Sequence, residues 1–205
     1  MCLRTDRHRG DNLCVTRNPL DVFRTLYARA SELLDEPDAM VLSTVDEHGQ
    51  PSGRMVLCKG FDERGFVFYT NLGSRKARAL RASPRAALCF YWAPLGTQIR
   101  IEGVVEPVTD AEADAYFATR PRESQLGAWA SRQSEPLASR AELDERVAQV
   151  EERFAGRAVP RPPFWSGFRV VPRTIEFWTR EAARLHVREH YERAGNAWTR
   201  TLLYP

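Results

Sequence analysis

From Pro19 onward, Leu20, Phe23, Leu26 and Tyr27, then Leu33 and Leu34, recur at the three- and four-residue spacing of one helix face. The spacing predicts an amphipathic helix ending near Glu36-Pro37. The period then shortens to that of strands. Met40–Val45 and Arg54–Lys59 flank the turn Asp46–Gln50, and a second turn, Asp62-Glu63-Arg64-Gly65, leads into Phe66–Thr70. Three such strands in succession make a meander. Ser74 stands where a cap would for a short helix through Leu80. Strands are predicted again over Ala86–Trp92 and Gln98–Val105, and helices over Asp110–Arg120 and Ala141–Phe154. Prolines 160, 162 and 163 force the following stretch to be extended. The tail reads as strands at Phe168–Val171, Thr174–Trp178, Arg184–Tyr191 and around Trp198. Residues 1–18 are polar and unpatterned and read as a flexible N-terminal arm, with one domain over 19–205. Many short antiparallel strands with a few outlying helices predict a mainly β, α+β chain built as a small barrel.

Composition narrows the possibilities. A chain of 205 residues can bury a core without disulfides or metals. Thirty basic and 27 acidic residues leave a net charge of only +3, too balanced to indicate a nucleic-acid partner. Cys2, Cys14, Cys58 and Cys89 contain no Cys-x-x-Cys pair, so neither a zinc knuckle nor a redox dithiol is expected, and Cys58 and Cys89 read as reduced core thiols. No stretch nears the roughly 20 apolar residues that span a bilayer. The opening MCLRTDRHRGDNL lacks the apolar region of a secretory signal, so a cytoplasmic protein is expected. Ten Phe, six Tyr and five Trp suggest a ring-rich core or a site for a flat ligand.

Five runs carry more specific information: RMVLCK (Arg54–Lys59), FYTNLGSRKA (Phe68–Ala77), RPRESQLGAWASRQS (Arg120–Ser134), FWSGFRV (Phe164–Val170) and IEFW…RLHVR (Ile175–Arg188). In this order and at these separations the chain resembles the pyridoxamine 5′-phosphate oxidase family, from about Pro19 to Pro205. The resemblance implies an antiparallel split β-barrel, a homodimer and FMN bound at the subunit interface. It also implies oxidation of pyridoxine or pyridoxamine 5′-phosphate to pyridoxal 5′-phosphate, with O2 as acceptor and H2O2 as by-product.

Carried over position by position, the resemblance assigns FMN contacts to Arg54, Met55, Val56, Leu57, Cys58 and Lys59. It adds Tyr69, Thr70, Arg75 and Lys76, then Gln98, Gln133, Ser134, Trp178 and Arg188. A phosphate needs fixed donors, and Arg75 and Lys76 at a helix start add backbone N–H groups and the helix dipole to their own charge. The phosphate of the pyridine substrate is assigned to Lys59, Tyr116, Arg120 and Ser124. Tyr116 and Arg120, four apart, would share a helix face, leaving Asp110, Glu112 and Asp114 solvated elsewhere.

The resemblance makes Arg184 and His186 the expected reactive centre and implies that both contact the substrate. Two apart, they would point to one side of a strand. Histidine can accept or relay a proton near neutrality, whereas arginine can orient and stabilise charge. His186 and His190 would share that face too, but with no third ligand in sight no metal is predicted. The chain departs from the family at Val187, where an acidic or amide residue is usual. It also departs at Arg180–Ala183, in its Leu-Leu-Tyr-Pro end, and in the arm, where Arg4 matches but Arg7 replaces a tyrosine. These changes leave two alternatives open: a flavin oxidase of the same fold acting on another aromatic, as in phenazine biosynthesis, or a non-catalytic module binding FMN or pyridoxal phosphate.

Overall fold

The computed structural model describes residues 17–205. Of the expected arm, all but Arg17 and Asn18 lies outside the described residues, as do Arg4, Arg7, Cys2 and Cys14. Asn18 starts the first helix: its side chain accepts a hydrogen bond from the Leu20 N–H at 3.0 Å, and Pro19 fills the first helical position. Helix α1 (Pro19–Ser31) stops five residues short of the expected Glu36, because the Ala30 carbonyl receives both the Leu33 and Leu34 N–H groups in a closing turn. Its Phe23 is fully buried and meets Phe61, Phe66 and Phe90 edge-on at 4.8, 4.9 and 5.2 Å.

Nine strands follow: β1 (Ala39–Val45), β2 (Pro51–Leu57), β3 (Gly60–Asp62), β4 (Gly65–Asn71), β5 (Arg85–Trp92), β6 (Thr97–Pro107), β7 (Trp165–Thr179), β8 (Val187–Ala194) and β9 (Ala197–Leu203). Four further helices are α2 (Arg75–Ala82), α3 (Asp110–Thr119), α4 (Arg122–Ala130) and α5 (Arg140–Arg153). Every strand pairing is antiparallel, in the order β2-β1-β5-β6-β7-β4-β3, with β8 and β9 continuing from β7. This is the mainly β, α+β split-barrel class expected from the sequence.

The split has a local cause. Strand β7 is one strand of 15 residues, where two were expected around Pro172. Its first part pairs with β4 through Val170 and its last part with β8 from Thr174, so Pro172 falls where no second neighbour needs its missing N–H. Opposite it, β6 shifts register between Glu102 and Gly103, and a Cβ on Gly103 would lie 2.0 Å from the Val171 carbonyl oxygen. The sheet therefore exchanges one neighbour for another across this bulge. No helix among the described residues is long and apolar enough to cross a membrane.

Candidate active site

A cleft of about 480 Å³ opens between β2, β4, the start of α2 and the α3–α4 corner, within the size range of small-molecule sites. At one end, Ser74 caps α2 and is fully buried. Lys76, in the first turn, donates to Thr70 Oγ1 at 3.1 Å and to Gln133 Oε1 at 3.2 Å, and Thr70 donates to the same Gln133 oxygen at 3.1 Å. The Arg75 backbone N–H donates to Ser134 Oγ at 3.2 Å. From β2, Arg54 reaches the Leu42 carbonyl at 3.0 Å and the hydroxyls of Thr44 and Ser52, both at 2.8 Å.

Burial, then the neighbouring Arg54, lowers the Lys76 pKa, and burial followed by Arg75 lowers that of Arg54. The neighbouring charges that lower these two values, Arg54 for Lys76 and Arg75 for Arg54, are themselves positive. A set of mutually repelling cations around a helix N-terminus suits a polyanion, so the residues present fit a phosphate group here.

The opposite end is walled by stacked rings. Tyr69 lies 5.4 Å from Trp165 at an interplanar angle of 3°, and 4.1 Å from Tyr116 at 12°. Gly167 makes room for this stack, since a Cβ there would stand 2.7 Å from the Tyr69 ring. The Arg120 guanidinium sits 4.9 Å over Trp165, with Nη1 buried and without a hydrogen-bond partner. Lys59 lines the same end while bound to Asp38 at 2.6 Å; burial pulls its pKa down, but the Asp38 hydrogen bond and charge outweigh this and leave it raised.

Arg120 is not on a helix face with Tyr116 as expected. It caps the end of α3, Pro121 starts the unexpected α4, and Ser124 occupies the first turn of α4. The chain turns a corner at Arg120, yet Lys59, Tyr116, Arg120 and Ser124 all line the cleft. Asp110 and Asp114 are largely exposed, as expected, whereas Glu112 is only 26% exposed, and all three are paired. Asp110 and Asp114 pair with Arg161 at 2.9 and 2.6 Å, and Glu112 pairs with Arg169 at 2.7 Å.

Of the expected FMN residues, Met55, Val56, Leu57, Lys59, Tyr69, Thr70, Lys76 and Gln133 line the cleft, whereas Arg54, Arg75 and Ser134 do not. Cys58 points instead into the core, 5% exposed, where burial pushes its thiol up to about 12. Asn71 was not singled out from the sequence, although it lies inside the FYTNLGSRKA run. It lines the cleft, and its amide donates to the Ser131 carbonyl at 3.1 Å.

A second group sits apart from this cleft. Gln98, Trp178 and Arg188 are cross-strand neighbours on β6, β7 and β8. Arg188 holds Glu176 through two bonds of 2.8 and 3.1 Å and donates to the Tyr204 carbonyl at 3.1 Å. The His186 ring lies 4.4 Å from Trp178, and its Nδ1 accepts from the Glu181 N–H at 3.1 Å, which leaves Nε2 to carry the proton of the neutral ring. The expected strand over Arg184–Tyr191 begins only at Val187. Ala183 and Arg184 have φ of 54° and 63°, and two successive left-handed residues cannot continue a strand. Arg184 and His186, and likewise His186 and His190, therefore do not share a strand face. None of Gln98, Trp178, Arg184, His186 and Arg188 lines the cleft.

The non-glycine residues with positive φ among the described residues are Ser134, Ala183 and Arg184. Two of the three are expected site residues, and such backbone strain concentrates where function over-determines the conformation.

Comparison with known proteins adds an independent line. A family profile described as "Pyridoxamine 5'-phosphate oxidase" matches residues 26–154, and one described as "Pyridoxine 5'-phosphate oxidase C-terminal dimerisation region" matches residues 165–205. The pyridoxine/pyridoxamine 5′-phosphate oxidase of Myxococcus xanthus is 59% identical over 189 residues, covering 92% of each chain. That of Rubrobacter xylanophilus is 60% identical over 172 residues, 84% of this chain and 79% of its own. Among solved structures, PhzG from Burkholderia lata, crystallised with tetrahydrophenazine-1-carboxylic acid, has a TM-score of 0.87 at 35% identity and covers 92% of this chain and 93% of its own. A pyridoxamine 5′-phosphate oxidase-related, FMN-binding protein from Nostoc punctiforme shares the fold, with a TM-score of 0.75 at 17% identity over 93% of this chain and all of its own.

Proposed function

Because the chain belongs to the pyridoxamine 5′-phosphate oxidase family, we propose that it oxidises pyridoxine or pyridoxamine 5′-phosphate to pyridoxal 5′-phosphate, with FMN as cofactor and O2 as acceptor. One observation carries this reading: a single cleft is lined by two sets of anion-ready side chains. Lys76, Thr70, Gln133 and the α2 N-terminus form one, for the phosphate of FMN. Arg120, with its buried unpartnered Nη1, forms the other with Lys59, Tyr116 and Ser124, for the phosphate of the substrate. A cofactor and a substrate that each carry one phosphate match this arrangement.

Bound FMN would supply the two-electron acceptor for a hydride from the substrate C4′, with O2 as the final acceptor giving H2O2. The chain's own contribution is to place and to move a proton. Phosphate anchoring at Arg120 and Lys59 fixes one end of the pyridine, so that C4′ is presented in one orientation. His186 is assigned to take the proton leaving the alcohol or amine, at Nδ1 once the Glu181 N–H is released from it, and Arg184 stabilises the charge that develops beside it.

Trp178, Arg184, His186 and Arg188 all fall within the matched dimerisation region. We therefore read the protein as a homodimer in which this group of one protomer completes the cleft of its partner, with FMN at the interface. Purified, FMN-loaded protein given pyridoxamine phosphate in air should form pyridoxal phosphate and peroxide one to one; bound flavin without either product would overturn the oxidase reading.

The likeness to PhzG supports a second reading, a reduced aromatic without phosphate as substrate. The four phosphate-facing residues at the Tyr116 end oppose it. Turnover of a phosphate-free aromatic, with none of pyridoxamine phosphate, would put it in first place.

A further inference from the structure

Behind the ring stack lies an ion pair that touches neither phosphate end. Arg169, on β7, is only 5% exposed; it donates through Nη2 to Glu112 Oε1 at 2.7 Å and faces Glu106 at 3.5 Å, while its Nε is buried with no partner. Glu112, in the first turn of α3, is committed on all sides. Oε1 also takes Arg64 at 3.0 Å, and Oε2 accepts from the Thr109 N–H at 3.0 Å and the Thr109 hydroxyl at 3.1 Å in a capping box. The backbone carbonyl of Glu112 accepts from the Tyr69 hydroxyl at 3.4 Å. Tyr116 follows one turn later and stacks on that same Tyr69, and Arg120 ends the helix.

Only the Arg169 side of the pair is buried, the Glu112 side chain being 26% exposed; an ion pair often does no more than offset the cost of desolvating such a guanidinium, and here Nε is left unsatisfied as well. Stability alone is therefore a poor reason for the pair. Its geometry gives a better one: it joins the start of α3 to β7, the strand that also carries Trp165 and Gly167 of the ring stack. With Tyr69 bonded to the Glu112 backbone, rotation or translation of α3 would move Tyr116 and Arg120 together relative to Lys59.

We propose that the Arg169–Glu112 pair is a positioning device for substrate specificity: it sets the placement of α3 so that Tyr116 and Arg120 converge on the substrate phosphate. The inference rests on the reading of that end of the cleft as a phosphate site. Neither residue touches substrate, so both act through Tyr116 and Arg120.

The test compares binding of pyridoxal 5′-phosphate and of pyridoxal to the FMN-loaded protein and to Arg169→Met, Arg169→Lys and Glu112→Gln. The expected result is a loss of pyridoxal phosphate affinity in Arg169→Met of about tenfold or more, the worth of one charge-assisted hydrogen bond. Pyridoxal affinity and FMN affinity should stay unchanged, and Arg169→Lys should restore part of the loss. The near-ultraviolet circular dichroism of the Tyr116–Tyr69–Trp165 stack should change in parallel. If Arg169→Met does not fold, Glu112→Gln alters the pair from its more exposed side and carries the same comparison. Unchanged pyridoxal phosphate affinity overturns the proposal. So does equal weakening of both ligands, parallel loss of FMN, or a wild-type protein that does not prefer pyridoxal phosphate to pyridoxal. A wild-type protein that binds pyridoxal phosphate tightly yet produces none from pyridoxamine phosphate removes the oxidase reading and leaves this comparison intact.

Discussion

The α2 end of the cleft and the segment around residues 180–204 are both built from arginines, aromatics and small polar residues, but they are organised differently. At α2 the chemical groups are tied to one another within the chain: Ser74 is fully buried, and Lys76, Thr70 and the exposed Gln133 close a triangle of hydrogen bonds. In the later segment Leu185 is 68% exposed and Tyr204 95%, and Arg184 sits on a strained turn. The first region is preorganised within one chain. The second leaves Arg184 and the apolar Leu185 exposed, with Trp178, His186 and Arg188 only partly covered by their own chain.

This difference predicts that substitutions in the two regions will separate turnover from cofactor binding. The largest effect is expected at the turn proposed to be reactive: His186→Ala should lower kcat by about 10²–10⁴-fold, the usual worth of a general acid–base group, with flavin content intact. Loss of flavin in that variant would merge the two regions and break the comparison.

Next is Lys76→Met, which should weaken FMN binding by about 10- to 100-fold through loss of a charge-assisted contact, measured by fluorescence of released flavin. Arg75→Ala should do so less, since the described role of Arg75 is its backbone N–H to Ser134. The reverse ranking would mean that the Arg75 side chain is the main phosphate ligand.

The pH dependence sharpens the contrast further. Lys76 has its pKa lowered by burial and by Arg54, and phosphate is bound by the ammonium form. FMN affinity should therefore fall as pH rises through a value below the ordinary 10.5 of lysine. An FMN titration that stays flat up to that value would remove Lys76 from the phosphate site.

Glu112 behaves in the opposite sense. Its pKa is lowered from 4.5 to about 2, first by the Thr109 backbone hydrogen bond and then by Arg169. Its stabilising contribution is thus full above pH 4.5 and is lost as the pH falls toward 2. Denaturant unfolding of Glu112→Gln and wild type should differ near neutrality and converge in acid. The smallest effect concerns Cys58, whose thiol, pushed up to about 12, should resist alkylation in the native state and react only on unfolding.

Local pattern was enough to read much of the fold. The Leu20–Tyr27 spacing, the turn at Asp46–Gln50, the Ser74 cap and the apolar alternation of β5 and β6 each depend on neighbours a few residues away. Helix α4 was missed because its nine residues bury only Leu126 and Ala130, too few to set a period. Strand β7 was broken at Pro172 because the tolerance of that proline depends on β4 ending and β8 beginning beside it, both distant in sequence.

The site divides along the same line. The five motif runs supplied the residue types that the structure gathers in one cleft, since local donors and a helix start are legible from neighbouring residues. Three facts came only from the tertiary structure: that Arg120 rounds a corner into the cleft, that Glu112 is bound to Arg169 57 residues away, and that Arg184 lies on a turn rather than a strand. Short-range spacing determines backbone periodicity and side-chain chemistry. Which side chains meet is decided by packing between segments far apart in the chain, and by left-handed backbone that periodicity cannot reveal.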